Sequence, residues 1–368
     1  MALGFQSAQL ALDIGGSSVL CLQVAGSSGR LKLRGCYEWP LTEGLVVDGE
    51  VADVDLLARE LKAFANQYKL KGKPVQLAVS NQKVIVRNIE MPEMTEDELR
   101  GAIEFQAQDY IPIPVDEVVL DFQVVGKTVN QEGASRQEIV LVAGQKAMIA
   151  GYCDAIKQAG LKIGGIDVYS MALVRALVPS QGFLGETDQT GTCRAIADIS
   201  SSVSTLVVAV ESVPKFTRVI NFSSDRFARV LGEQRNIPME DGQELAQRVG
   251  LSGPLGVEDD LYSDEIIHQT QEKLGEVASE LSDEIRRSLL YYQSQEATAP
   301  VTELILSGRG ALVRNLSEHL AETLSLPVSI ANPMIHISEN DSRTPDADLA
   351  FMAPYLSVAV GLAMPEED

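Results

Sequence analysis

Apolar and polar residues along this chain follow two periods. Short apolar runs, Leu10-Ala11-Leu12 and Ala195-Ile196-Ala197, read as buried strands. Each run ends in a carboxylate and a turn of small residues. The first continues Asp13-Ile14-Gly15-Gly16-Ser17-Ser18, the second Asp198-Ile199-Ser200-Ser201-Ser202. A second strand follows each turn, at residues 19–24 and 206–210. Residues 31–39 read as a further strand, and Asp48-Gly49-Glu50 as a hairpin turn. Asp53 is placed to cap a helix to about Tyr68, with Leu56, Leu57, Leu61 and Phe64 at helical spacing. Residues 75–79 form another apolar strand.

A different pattern occupies the next stretch. Residues 84–91 alternate like a half-buried strand that Pro92 stops. Thr95 and Glu98 have capping-box spacing, so each satisfies an orphan N–H of the other. The helix they open carries Leu99, Ile103, Ala107 and Tyr110 on one face and ends before Pro112. Strands at 118–125 and 138–143 follow, joined by a polar hairpin tip at 127–136. Strand, helix, strand, strand is the order of a small α+β module.

Beyond it the pattern predicts a helix at 147–158, a strand at 163–168 and a helix at 170–178. Residues 179–190 read as a loop between halves. The second half opens at Arg194. Residues 242–264, with Gly253-Pro254-Leu255-Gly256, read as irregular and acidic. A long helix is predicted from Asp264 to about Gln293, with the stripe Ile267, Leu274, Val277, Leu281, Ile285, Leu289 and Tyr292. Leu304-Ile305-Leu306-Ser307 is a strand running into the turn Gly308-Arg309-Gly310, with a helix expected over 312–323.

Composition narrows the class. The chain has 368 residues, enough for two or three domains, and a net charge of -22. That charge argues against nucleic acid and against direct adsorption to anionic lipid. No 18-residue apolar stretch is read in the chain, and no basic start or long apolar segment marks a signal peptide. A cytoplasmic protein is expected. Cys21, Cys36, Cys153 and Cys193 form no C-x-x-C pair and read as buried free thiols of a reducing compartment. The three histidines show no metal-ligand spacing, and no Ser-His-Asp arrangement is apparent.

The chemistry lies in the loops. Small residues let backbone N–H groups approach phosphate oxygens, and an aspartate at the mouth can hold Mg²⁺ through water. Two such units facing one phosphate chain, with a glycine turn that lets a flat ring lie on the backbone, read as a nucleotide cleft; the alternative is three structural strand–turn units without ligand. The binding set is Asp13, Gly15, Gly16, Ser17 and Ser18 with Asp198, Ser200, Ser201 and Ser202 on the phosphates, and Gly308, Arg309 and Gly310 at the adenosine. On the long helix Glu284, Arg287, Ser288 and Tyr291 read as one polar face, with Glu284 set for ribose and Arg287 for adenine. The bland alternative is an exposed Glu–Arg pair worth a few tenths of a kcal/mol. Asp13 and Asp198 are the metal candidates.

Together the three loops resemble those of the actin-like ATPase superfamily. More closely, the chain resembles the PilM family of type IV pilus assembly. The similarity is carried by residues 12–19, Val47-Asp48-Gly49-Glu50-Val51, residues 98–114 (ELRGAIEFQAQDYIPIP), 118–125 (VVLDFQVV), 159–162, 172–177, 283–292 (DEIRRSLLYY) and 306–312. This resemblance implies an α/β fold of two ribonuclease H-like lobes with an inserted SHS2-type module, the subdomain shared with FtsA. It implies first-lobe core at 1–82 and 167–190, the inserted module at 83–166, second-lobe core at 191–232 and 300–368, and a second-lobe subdomain at 233–299. ATP with Mg²⁺ is the implied cofactor.

The implied role is a cytoplasmic scaffold in pilus assembly and twitching motility, held at the inner membrane by a partner. That partner is the cytoplasmic N-terminal tail of a PilN-like membrane protein, with links to other inner-membrane and motor components. No membrane insertion is implied, and homo-oligomers are left open. The tail is expected in a groove framed by residues 84–91, 95–110 and the Ile111-Pro112-Ile113-Pro114 corner. Ser200 and Arg309 stand where glycine is usual in the family, and Tyr169 where glutamate is frequent. These departures favour slow or absent hydrolysis. A small-molecule kinase of the same superfamily and an FtsA-like division adaptor are the competing readings.

Overall fold

The computed structural model describes residues 9–27, 30–129, 133–178, 193–257, 261–295 and 298–364. It begins with an antiparallel meander, β1 (Gln9–Ile14), β2 (Ser18–Ser27) and β3 (Arg30–Pro40). A tight turn at Asp48-Gly49 joins β4 (Val46–Val47) to β5 (Glu50–Val51). Both turn residues have positive φ, 52° and 75°, as a primed hairpin turn demands. The Asp53 carboxylate accepts the Leu56 N–H at 2.8 Å and caps α1 (Val54–Gln67). Then β6 (Pro74–Val79) lies parallel to β1.

The inserted module is β7 (Val84–Pro92), α2 (Glu96–Tyr110), β8 (Val118–Val129) and β9 (Ser135–Gln145). Its strands run in the order β7-β9-β8, so β7 and β8 are its two edges. The capping box of Thr95 and Glu98 is formed on both sides. Leu99, Ile103, Ala107 and Ile111 are buried against Ile85, Ile89, Met91 and Ile139. The hairpin tip is shorter than expected: Lys127 to Val129 continue β8, and Ser135 and Arg136 open β9. Pairing across the strands there, Lys127 with Gln137 and Val129 with Ser135, outweighs the polar composition.

Next come α3 (Lys146–Gln158), β10 (Lys162–Val168) and α4 (Tyr169–Leu177). The expected interlobe loop at 179–190 lies outside the described residues. The second half repeats the opening meander as β11 (Cys193–Ile199), β12 (Ser204–Val210) and β13 (Val213–Ile220). Two short helices follow, α5 (Asp225–Arg235) and α6 (Met239–Arg248). The irregular stretch expected from residue 242 is therefore helical to Arg248. Gly242, which reads as a breaker, is there for fit: a Cβ on it would lie 2.4 Å from the Ala228 carbonyl oxygen of α5.

The long helix α7 spans Asp264–Gln293, with the predicted stripe buried from Leu274 to Tyr292. Ser288 leaves the expected polar face; it is buried and its hydroxyl donates to the Glu284 carbonyl at 2.7 Å. After β14 (Val301–Ser307) a single 3₁₀ turn covers Arg309–Leu312, and α8 (Leu316–Leu324) begins only beyond it. The chain closes through β15 (Val328–Ile330), β16 (Ile337–Asn340), α9 (Asp346–Met352) and α10 (Ser357–Ala363).

Two mixed sheets result, ordered β10-β6-β1-β2-β3-β16 and β13-β12-β11-β14-β15. Each sheet has an outer core, one under α1 and α3 and one under α5 and α7. Their inner faces share a third core. Ala11, Leu20 and Leu22 of one sheet and Ile196, Val207 and Ile305 of the other meet α4 and α10 there. Burial on both faces explains why β1 and β11 read as continuous apolar runs. Residues Asp346–Ala363 do form an 18-residue stretch of mean hydropathy 1.2, but about two-thirds of it is buried inside the protein. It does not read as a continuous apolar run because Asp346, Asp348 and Pro354 fall within it.

Candidate functional site

The two antiparallel hairpins bring their tips together. Asp13 ends β1 opposite Leu20, and Asp198 ends β11 opposite Thr205. The first tip closes on itself through Gly15 N–H to the Ser18 carbonyl at 2.9 Å. Its next two N–H groups point outward, and both reach Ser201 Oγ, from Gly16 at 2.9 Å and Ser17 at 3.3 Å. A Cβ on Gly16 would stand 2.7 Å from the Ser201 carbonyl oxygen, so only glycine lets the tips approach this closely. Ser202 Oγ accepts Gly49 N–H at 2.7 Å, and Ser80 and Thr205 share a hydroxyl hydrogen bond of 2.8 Å.

The two aspartates are almost fully buried. Burial raises the Asp13 carboxyl to about 6 from 3.8; its hydrogen bond from the Tyr169 hydroxyl opposes the rise, and the charge of Asp198 adds to it. Asp198 is raised as well, by burial, against hydroxyl donors on Ser200 and Ser307. The Ser307 bond is 2.9 Å. Tyr152 fixes the other side of the cleft, donating to the Gly49 carbonyl at 3.1 Å.

Gly308 has φ 79° and lies against the Ile199 backbone, where a Cβ would meet the carbonyl oxygen at 2.5 Å. Arg309 does not extend along its own lobe. Its guanidinium lies 4.3 Å from the Tyr355 ring centroid, donates to Ser18 Oγ at 3.0 Å and pairs with Glu38. Beside it, Asp225, Gln243, Gln247 and Leu312 line a small recess. Burial pushes the Asp225 carboxyl up to about 6, with Arg309 and Arg229 pulling the other way.

The structure thus gathers Asp13, Gly15 to Ser18, Asp198, Ser200 to Ser202 and Gly308 to Gly310 around one cleft. Glu284 and Arg287 stand elsewhere. They pair with each other, and Glu284 also pairs with Arg218 of β13, away from the recess beside Arg309. Sequence reasoning missed Asp225, Ser307, Tyr152 and Gly49. The helix start at Ser223-Ser224-Asp225 was the one available signal for Asp225; the others are recognisable only once strands from distant segments adjoin.

Two buried carboxylates, both held above the usual carboxylate range by burial and Asp13 also by the charge of Asp198, suit a divalent cation. Asp13 and both oxygens of Asp198 already hold hydroxyl donors, which leaves room for Mg²⁺ chiefly through its waters. Among the described residues no three His, Cys, Asp or Glu side chains form a metal cage. A cation here would need ligands from a phosphate.

This is the fold of the actin-like ATPases. It is similar to MreB5 of Spiroplasma citri bound to ADP, with a TM-score of 0.51, 16% identity and 97% and 95% of the two chains covered. It is also similar to the ethanolamine utilization protein EutJ from Carboxydothermus hydrogenoformans, with a TM-score of 0.53, 11% identity and 97% and 89% covered. A solved PilM-PilN type IV pilus biogenesis complex matches with a TM-score of 0.79, 25% identity and 97% and 98% covered. The sequence pattern of type IV pilus assembly protein PilM matches residues 11–367, and the chain belongs to that family.

Proposed function

We propose that this protein is an ATP-binding scaffold of a type IV pilus assembly complex, working on the cytoplasmic face of the inner membrane. It captures the cytoplasmic tail of a PilN-like protein and links it to the motor. The observation that carries the nucleotide reading is the meeting of two strand–Asp–turn–strand tips, the outward N–H groups of the first already holding an oxygen of the second. Main-chain donors that grip a hydroxyl grip a phosphate oxygen more strongly, because charge-assisted hydrogen bonds are about twice as strong. Asp13 and Asp198 would hold Mg²⁺ through water, which offsets repulsion between carboxylates and phosphates. Arg309 lies over the cleft mouth and Asp225 beside it, so adenosine would enter by the recess at Gly308 to Gly310.

The same protein needs a membrane partner to act at a membrane. Its net charge is -22, and the one long apolar stretch among the described residues is largely buried. We place tail capture on the inserted module of residues 83–166. The wall expected from α2 is largely spent on the module's own core, so capture there rests on what stays outside, above all Phe105, which is 88% exposed.

Calorimetry on the full chain with ATP, with and without Mg²⁺, tests the first half. Binding that Mg²⁺ strengthens supports it; no heat and no change in Tm at millimolar ATP refutes it. A pull-down with the labelled tail peptide of the PilN-like protein tests the second. Retention that Phe105→Glu weakens supports the placement, and retention unchanged by that substitution moves the groove off this face.

A further inference from the structure

The edge strands of two sheets face each other outside the nucleotide cleft. β7 is an edge of the module sheet and β13 an edge of the second-lobe sheet. They are joined at one end by the Asn88 side-chain amide donating to the Pro214 carbonyl at 2.8 Å and by the Lys215–Glu138 pair. From there a cleft opens, lined by Val86 and Arg87 of β7, Phe216 to Arg218 of β13, and Tyr291 and Gln295 at the end of α7.

Its chemistry differs from the rest of this acidic surface. Arg87, Lys215, Arg218 and Arg287 stand against two carboxylates, Glu138 and Glu284, which are shared among the last three cations. Arg87 is exposed and makes no ion pair with any described residue. Phe216 and Tyr291 pack with ring centroids 5.9 Å apart, and Tyr291 is 60% exposed. Two polar atoms of the lining, Asn88 Oδ1 and Thr217 Oγ1, are buried with no hydrogen-bond partner among the described residues. Orphaned buried polar atoms are uncommon and costly.

We propose that this cleft binds an extended acidic peptide from a partner protein. Carboxylates of the peptide meet Arg87 and Arg218, and an apolar side chain lies on the Phe216–Tyr291 pair. Its backbone runs along the open edge of β13, the mode by which a peptide extends a sheet. As an edge strand, β13 offers main-chain N–H and C=O groups that a peptide backbone can pair with and a phosphate chain, which supplies acceptors alone, cannot. That distinction favours peptide over nucleic acid in a cleft that charge alone would open to both. The proposal rests on neither the nucleotide nor the tail-binding reading.

Fluorescence anisotropy with the full-length protein tests it. The probe is a short labelled peptide alternating glutamate with valine and phenylalanine, beside a peptide of the same length with lysine for glutamate and a labelled single-stranded oligonucleotide. The acidic peptide should bind and the lysine peptide should not. Arg87→Glu with Arg218→Glu should weaken the acidic peptide at least tenfold, as loss of close charge partners does. Far-UV circular dichroism and thermal melts confirm that the variant is folded. Equal binding of the acidic and lysine peptides overturns the proposal. So does unchanged affinity in the folded charge-reversal variant, or tighter binding of the oligonucleotide than of the acidic peptide.

Discussion

Ser201 Oγ accepts the N–H of Gly16 at 2.9 Å, so the first-lobe turn is satisfied by a side chain of the second lobe. The same hydroxyl takes the Ser17 N–H at 3.3 Å. A phosphate that enters between the tips has to displace this serine. Ser201→Ala removes the internal competitor and should tighten ATP binding about fivefold, the scale of one net hydrogen bond. Calorimetry on the variant reads this directly. If affinity falls instead, Ser201 is itself a phosphate ligand, as its place in the sequence motif suggests.

A second expectation concerns acid. Asp13 titrates at about 6 in the folded protein against 3.8 in an ordinary carboxylate. Between about pH 4 and 6 the folded state keeps a proton that the unfolded state has released. Stability from this group is therefore full below pH 4 and declines as pH rises through 6, by on the order of 3 kcal/mol. Asp13→Asn should abolish that part of the pH dependence. Urea melts of both proteins at pH 5 and pH 7 give the answer; parallel pH responses would falsify the assignment to Asp13.

Arg309 ties the lobes through Ser18, Glu38 and Tyr355. Arg309→Ala should cost roughly 1–2 kcal/mol, for a cation–π contact and a partly exposed charged pair. Arg309→Lys should not restore it, because an ammonium cannot stack and fork at once. Small-angle scattering should show a larger radius of gyration in both variants. Melts and scattering that match the parent protein would mean the tie is idle.

Gly49 is held more tightly than its turn requires. Its φ is 75°, and a Cβ there would stand 2.0 Å from the Ser80 carbonyl oxygen. Gly44 has φ 82° with nothing within 4 Å of a Cβ. Gly49→Ala should cost at least about 3 kcal/mol, and Gly44→Ala about 1 kcal/mol from the left-handed conformation alone. Equal losses in a pair of melts would show that the contact with Ser80 yields.

Local signals were the legible ones. Asp53, the Thr95–Glu98 box and the Leu274-to-Tyr292 stripe announce their helices because each depends on neighbours within two turns. The family resemblance announced the lobes. What escaped the sequence depends on approach between distant segments. Gly242 reads as a breaker until Ala228 is seen to lie against it. Asp225 reads as a helix cap until Arg309 arrives from 84 residues downstream. Glu284 and Arg287 show the converse case: their helical spacing and ion pair were legible, but not that Glu284 also pairs with Arg218 of β13.

Gly361 of α10 rests on Ala172 of α4, where a Cβ would fall 1.9 Å from the Ala172 carbonyl oxygen. α4 touches strands of both sheets, β6 and β10 of one and β11, β12 and β13 of the other, while α10 lies on β1, β2 and β6. Main chain meets main chain at this crossing, so no rotamer change can absorb a shift there. If the lobes swing to admit a ligand, the crossing serves as the pivot pin and the displacement grows with distance from it. The hairpin tips lie close to that pin, because Tyr169 at the start of α4 holds Asp13, so the small space between Gly16 and Ser201 widens little while the outer edges of the lobes travel farthest.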